Sequence, residues 1–260
     1  MRALDTAATG MKAQEMQLDQ IANDMANMNT TAYKRGRTEF QDLMYQTIKD
    51  PGGEAGTNQS PVGIQVGSGV KVGAQYSVHE IGGAKITNGD FDLMINGSGF
   101  FAIQLPNGQV AYTRDGSFKT DSQGRVVTSG GYQMVPPLQL PQNSAQVRIS
   151  PNGIVTAVNS TGQETQVGQI QLVDFMNPSA MKKMGENMYM PTTASGQPVQ
   201  GNPGDGLLGN LQQGALESSN VNATEAVMDM IKTQRTYETN AKIMNVADQM
   251  WSTTNNIGMK

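Results

Sequence analysis

Apolar residues recur at two different periods along this chain, and the change of period divides it into three parts. From about Ala3 to Met28, Leu4, Met11, Leu18 and Met25 recur every seven residues. Ala7, Gln14, Ile21 and Met28 repeat that period three places later. This a/d heptad pattern, spoiled only at Gln14, predicts one long helix with a narrow apolar seam. The last part, from about Asn222 to Asn256, repeats the arrangement. Met230, Tyr237, Met244 and Trp251 form one series. Val227, Gln234 and Ala241 form the other, which ends at the polar Asp248. Asn222 with Glu225 three residues on resembles a capping box, and Gly258 stands where a C-terminal stop is expected.

Between about Gly73 and Gly214 the helical period is lost. Short apolar runs take its place: Phe100–Leu105, Val110–Arg114, Arg125–Thr128, Gln146–Ser150 and Gln169–Phe175. Turn residues separate them, as in Pro106-Asn107-Gly108, Arg114-Asp115-Gly116 and Pro151-Asn152-Gly153. Such spacing predicts antiparallel sheets. The stretch from about Asp50 to Gly73 has few apolar anchors and reads as irregular or extended. The expected class is α+β, an antiparallel β-domain inserted between two terminal helices that pair as a coiled coil on assembly. The expected division is a terminal helical domain (1–33 with 216–260), an extended connection (34–72) and a mainly β outer domain (73–215).

A first helix from Ala3 to Met28 is about 40 Å long. Burying its half-dozen seam side chains returns less free energy than ordering some two dozen residues costs. The isolated segment is therefore expected to be disordered and to need a partner. The C-terminal helix, of similar length and period, is the obvious one. A two-helix pair still leaves Met16, Ala22, Met228, Ile231 and Ile243 off the seams, and further copies of the chain could cover them. Periodicity equally allows both helices to pack on their own β-domain as ordinary α+β elements.

Charge and composition remove most chemistry. The 260 residues carry a net charge of −4 and a pI of about 5.0, which disfavours a nucleic-acid surface. The small basic cluster Lys34, Arg35 and Arg37 reads as a solvated segment. There is no cysteine and one histidine, His79, so disulfides, thiolate chemistry and a His-based metal cluster or triad within one chain are excluded. No apolar run is long enough to span a bilayer, and Met1 to Asp24 has no unbroken apolar core of a signal peptide. The chain is expected to stay in the cytoplasm or to leave it without a cleaved signal.

Specific residues sharpen this picture. Leu18-Asp19-Gln20-Ile21-Ala22-Asn23-Asp24-Met25-Ala26-Asn27-Met28-Asn29-Thr30-Thr31-Ala32-Tyr33-Lys34-Arg35 resembles the N-terminal signature of the bacterial flagellar rod and hook proteins. That signature has two Ala-Asn pairs, a Thr, then Gly-Phe-Lys; here Ala32-Tyr33 replaces Gly-Phe. Phe40-Gln41-Asp42-Leu43-Met44-Tyr45-Gln46, Gly67-Ser68-Gly69-Val70 and Tyr112-Thr113-Arg114-Asp115-Gly116-Ser117-Phe118 also resemble the family. So do Leu216-Glu217-Ser218-Ser219-Asn220-Val221-Asn222 and Met230-Ile231-Lys232-Thr233-Gln234-Arg235-Thr236-Tyr237-Glu238. Motif order is kept from end to end, and chain length is nearest the family's distal rod members.

The resemblance implies a structural subunit and not an enzyme. It would be exported unfolded through the flagellar secretion apparatus and assemble into the rigid, torque-transmitting rod that crosses the periplasm. The implied partners are further copies of itself, proximal rod and hook subunits, and the surrounding basal-body rings. No cofactor, nucleic acid or membrane insertion is implied. Assembly would rest on Leu4, Met11, Leu18, Ile21, Met25, Met28, Val227, Met230, Tyr237, Met244 and Trp251. The signature positions are Asn23, Ala26, Asn27, Thr31, Tyr33, Gln234, Arg235 and Glu238. A segment mapping to roughly Gln46–Gly67 is associated in the family with rigidity. Hook and proximal rod subunits are the alternatives within the class.

Four segments carry residues that resemble chemical sites. Gly67-Ser68-Gly69 followed by Gly73 has the wrong spacing for a dinucleotide loop and reads as tight backbone packing. Asp115, Ser117, Lys119 and Asp121 read as a hairpin with Asx turns rather than a calcium loop. Asp90 and Asp92 alternate as if on one strand face, as a hydrolytic acid pair would, without a buried acid beside them. His79 reads as a surface or inter-subunit polar contact. The remaining alternatives are a soluble α+β binding module and a cell-wall hydrolase.

Overall fold

The computed structural model describes residues 2–49, 54–55, 58–59, 62–141, 144–159 and 162–257. They fall into two compact units. One is drawn from Met1–Met25, Gly36–Tyr76 and Asn222–Lys260, the other from Ala26–Arg35 and Ser77–Val221. Gly258 and, within the Gln46–Gly67 segment, residues 50–53, 56–57 and 60–61 lie outside the described residues.

The first unit holds the two helices, α1 (Arg2–Ala26) and α2 (Ala223–Ile257). Asn222 caps α2: its side-chain oxygen accepts from the backbone N–H of Thr224 at 3.0 Å and of Glu225 at 3.5 Å. The connection is more regular than its composition suggested. Gly36–Asp42 pairs with Val70–Ser77, Gln46–Lys49 with Ile64–Val66, and Glu54–Ala55 with Asn58–Gln59. Two-stranded ribbons of this kind are marginal by themselves. Anchors on α1 hold the first of them. The Thr9 hydroxyl accepts from the Val70 N–H at 3.4 Å. Gly69, at φ 112°, lies so close that an added Cβ would stand 2.2 Å from Thr9 Oγ1. The Asp24 carboxylate accepts from the Gly36 N–H at 3.1 Å and from Gln20 Nε2 at 2.7 Å. Asp24 is therefore buried with its charge hydrogen-bonded.

The second unit is antiparallel β-structure. Phe100–Gln104 is its central strand, paired with Val110–Thr113, Gln133–Val135 and Leu172–Asp174. Its sides alternate between two hydrophobic clusters: Phe101 and Ile103 in one, Phe100 and Ala102 in the other. A strand covered on both faces reads as an unbroken apolar run, and Phe100-Phe101-Ala102-Ile103 is such a run. Ser144–Ile149, Ile154–Asn159 and Glu164–Gln169 form a separate three-stranded meander. Its first turn, Pro151-Asn152-Gly153, has Gly153 at φ 81°. The expected run Gln169–Phe175 is split: one strand ends at Gln169 and the next spans Leu172–Asp174.

Candidate assembly surface

The helices bury narrower and smaller side chains than the heptads suggested. On α1 the buried residues are Ala7, Ala13, Ile21 and Asp24. Leu4, Met11 and Met25 are half-buried, while Leu18 and, just past the helix, Met28 are 37% and 39% exposed. On α2 Thr233 is buried, and Ala226, Met230, Asn240, Ala241, Met244 and Ala247 are half-buried. Of the expected second series, Ala241 is thus partly covered within the chain. Ala226, Thr233, Asn240 and Ala247 turn inward, whereas Val227 and Gln234 are exposed. Tyr237 and Trp251, in phase with the buried stripe, remain 44% and 53% exposed. A Cβ on Gly10 would lie 3.0 Å from Asn240 Nδ2, so the α1 backbone meets that α2 side chain.

The large apolar residues of α2 face elsewhere. Met228, Ile231, Ile243, Val246 and Met250 are all exposed. At 3.6 residues per turn they centre about 140° around the helix from the buried stripe. Helix α2 is thus apolar on two sides, one covered within the chain and one open. Met16 and Ala22 of α1 are exposed as well. A surface helix of a lone globular domain carries one apolar stripe, so the second calls for another partner.

In the β-unit, the segment following α1 and the segment preceding α2 are locked together by buried charge. Lys34, read from sequence as solvated, is fully buried. Its Nζ contacts Glu217 Oε1 and donates to the Glu80 carbonyl at 2.5 Å. Glu217 Oε1 also accepts from the Gly82 N–H at 2.9 Å. Arg114 Nε stands 3.4 Å from Glu217 Oε2, and its guanidinium lies 5.6 Å from the Phe100 ring centre. Burial lowers the pKa of both Lys34 and Arg114, and the Glu217 carboxylate opposes that shift. Backbone pairing completes the lock. Ala32 N donates to Glu217 O at 2.8 Å, and Asn220 Oδ1 accepts from Arg35 N at 2.7 Å. Ala32 adopts φ 56°, a left-handed conformation that the glycine usual at this position of the signature accepts more readily.

The signature positions divide between these regions. Thr31 accepts from Asn187 Nδ2 through its carbonyl at 3.0 Å. Tyr33 receives Lys183 Nζ 5.1 Å from its ring centre. Asn27 is half-buried, and Asn23 and Ala26 are exposed. Gln234, Arg235 and Glu238 are exposed on α2, where Gln234 donates to Glu238 at 3.3 Å. The sequence reading missed Lys34, Glu217, Arg114 and Asn220 as one cluster, although three of the quoted motifs contain them.

The four chemical candidates become structural features. His79 is half-buried. It stands edge-on to Phe100 and Tyr189, at 5.5 and 5.3 Å between ring centres. Burial, then the Lys34 and Arg114 charges, push its pKa down to about 3, so it is neutral. Asp90 and Asp92 do not share a strand face: Asp90 lies in a turn, and Asp92 accepts from the Thr87 hydroxyl at the turn's end. Asp115 and Asp121 form Asx turns, accepting from Ser117 N at 3.0 Å and Gln123 N at 2.9 Å. Gly69 and Gly73 are close-packing positions against Thr9 and Gln41. Among the described residues no acidic or histidine cluster could hold a metal, and no helix is long and apolar enough to cross a membrane.

Comparison with known proteins agrees with this arrangement. Residues 4–34 match the family described as flagella basal body rod protein. Residues 94–157 match the flagellar hook protein FlgE/F/G D1 domain, and residues 212–257 the flagellar basal body rod FlgEFG protein C-terminal family. The flagellar basal-body rod protein FlgG of Caulobacter vibrioides is 43% identical over 260 residues, covering 99% of each chain. That of Borreliella burgdorferi is 43% identical over 261 residues, covering 99% of this chain and 98% of its own. Of solved structures, the Helicobacter pylori flagellar hook protein FlgE2 matches at 13% identity and a TM-score of 0.25, over 71% of this chain and 43% of that one. With identity sustained from α1 to α2, this chain belongs to the flagellar basal-body rod protein FlgG family.

Proposed function

We propose that this distal rod subunit polymerises through its terminal helices into a straight tube. The stretches Leu4–Met28 and Val227–Trp251 line the inner tube, where they pair as a coiled coil. The β-unit makes lateral contacts with neighbouring copies, with proximal rod and hook subunits at the ends of the rod, and with the rings around it. The extended segment, including Gln46–Gly67, braces adjacent copies and limits bending, so that torque passes along the shaft. The subunit reaches its site in the periplasm through the flagellar export apparatus.

The observation that carries this reading is the two-sided apolar character of α2. Its inner stripe is covered within the chain, while Met228, Ile231, Ile243, Val246 and Met250 are exposed. Burying an exposed apolar side chain of this size contributes about 1.5–3 kcal/mol, so five of them in one contact favour assembly strongly. In the β-unit the buried Lys34 and Arg114 are turned to the buried Glu217, an arrangement that fits a structural role. Electron microscopy of the purified full chain at high concentration tests the proposal. Straight tubular filaments are expected. A chain that stays monomeric at every concentration, with both ends protease-resistant, overturns it in favour of a soluble binding module.

A further inference from the structure

Both helices carry charged residues on the side turned away from their buried stripes. On α1 these are Asp5, Lys12, Glu15 and Asp19, within about 80° of arc. On α2 they are Lys232, Arg235, Glu238 and Lys242, within about 120°. All eight are exposed. Among the described residues none of them is in an ion pair within the chain.

Their order is complementary. Counted back from the end of α1 at Ala26, the signs run minus, minus, plus, minus: Asp19, Glu15, Lys12, Asp5. Counted forward from the start of α2 at Ala223, they run plus, plus, minus, plus: Lys232, Arg235, Glu238, Lys242. The levels also correspond. Gly10 of α1 and Asn240 of α2 meet within the chain, and the two charge series lie on either side of these residues along their helices. The α1 series spans 14 residues and the α2 series 10, a difference of about 6 Å in rise that flexible lysine and arginine stems can cover. Both series point outward, so the chain cannot satisfy them itself. An antiparallel contact between α2 of one copy and α1 of the next brings the two orders into match.

We infer that the occupant of the open face of α2 is the outward face of α1 on a second copy of this chain. Four ion pairs set the register: Asp19 with Lys232, Glu15 with Arg235, Lys12 with Glu238, and Asp5 with Lys242. Met16 sits on the α1 face to meet the apolar stripe of α2. The contact is heterologous, since each copy offers one acidic and one basic face, and such contacts propagate rather than close as dimers. Exposed ion pairs are weak one by one, but a matched series selects partner and register, as e and g charges do in coiled coils. This rests on the proposal that copies assemble through their helices.

Charge exchange in the full chain tests it. One variant carries Asp5→Lys, Glu15→Lys and Asp19→Lys; the other carries Lys232→Glu, Arg235→Glu and Lys242→Glu. Each alone presents like charges on both faces, and its polymerisation by light scattering is expected to slow by about tenfold or more relative to wild type. A one-to-one mixture is expected to copolymerise, and a chain with all six changes to polymerise alone. Helicity by circular dichroism controls for folding. If a triple variant does not fold, Glu15→Lys rescued by Arg235→Glu replaces it. Variants that polymerise like wild type, or a mixture as inert as its components, overturn the inference and leave helix-driven assembly standing. A wild-type control that never polymerises defeats the function reading instead.

Discussion

Lys34 and Glu217, separated by 183 residues of chain, form a fully buried ion pair. One follows α1 in the chain and the other precedes α2, so within the β-unit the pair ties together two segments far apart in sequence. A buried charge without its partner costs far more than the pair itself contributes. Any chain in which this junction forms therefore needs both of these segments in place.

That asymmetry leads to a double-mutant prediction. Glu217→Ala leaves Lys34 and Arg114 buried without their carboxylate and should cost about 3–5 kcal/mol in chemical denaturation. Adding Lys34→Met should recover much of the loss, because the uncompensated ammonium is then gone. A double variant no more stable than Glu217→Ala alone shows that the pair is not what the junction depends on.

Acid sensitivity should centre on His79. Its pKa is depressed from 6.5 to about 3 in the folded chain. The unfolded chain therefore binds a proton below pH 6.5 while the folded one does not. Its contribution is fully present above pH 6.5 and is lost as pH falls towards 3, at about 1.4 kcal/mol per pH unit. Unfolding titrations of wild type and His79→Phe should diverge in slope across this window. Parallel curves would assign acid unfolding to other groups.

Ala32 holds a left-handed backbone conformation while buried. Such a conformation costs a residue with a Cβ about 1–2 kcal/mol, part of which glycine's greater unfolded entropy offsets. Ala32→Gly should raise the melting temperature modestly, and Ala32→Val should lower it severely. Calorimetry in which Ala32→Gly is the less stable protein would refute this account.

The open stripe of α2 should matter to the polymer and not to the subunit. Val246 is 53% exposed, so Val246→Lys should change unfolding free energy by no more than about 0.5 kcal/mol. Sedimentation of assembled material should fall sharply for the same variant. Undiminished polymer at wild-type concentrations would move the assembly contact off this stripe.

Much of the architecture can be read without coordinates, because it follows from local periods. The helical period marks α1 and α2 as helices, Asn222 marks where the second begins, and the run Phe100-Phe101-Ala102-Ile103 marks a strand covered on both faces. The split at Ile170 and Gln171, and the strands inside the supposedly extended connection, were hidden because short two-stranded pairings depend on neighbours that no local pattern records.

By itself, the sequence determined the kinds and order of elements, the α+β class and the membership of a rod family whose signatures sit at both chain ends. Tertiary structure alone decided which residues those helices bury and what holds their roots. Ala226 and Thr233 are covered while Val227 and Gln234 are exposed, a one-residue difference that a heptad count alone does not resolve. Lys34 is buried instead of solvated because Glu217 and Arg114 arrive from distant segments to share its charge. Periodicity reports a residue's preference between water and protein, whereas the fate of a charge, or of a tight contact, depends on partners that only the folded chain brings near.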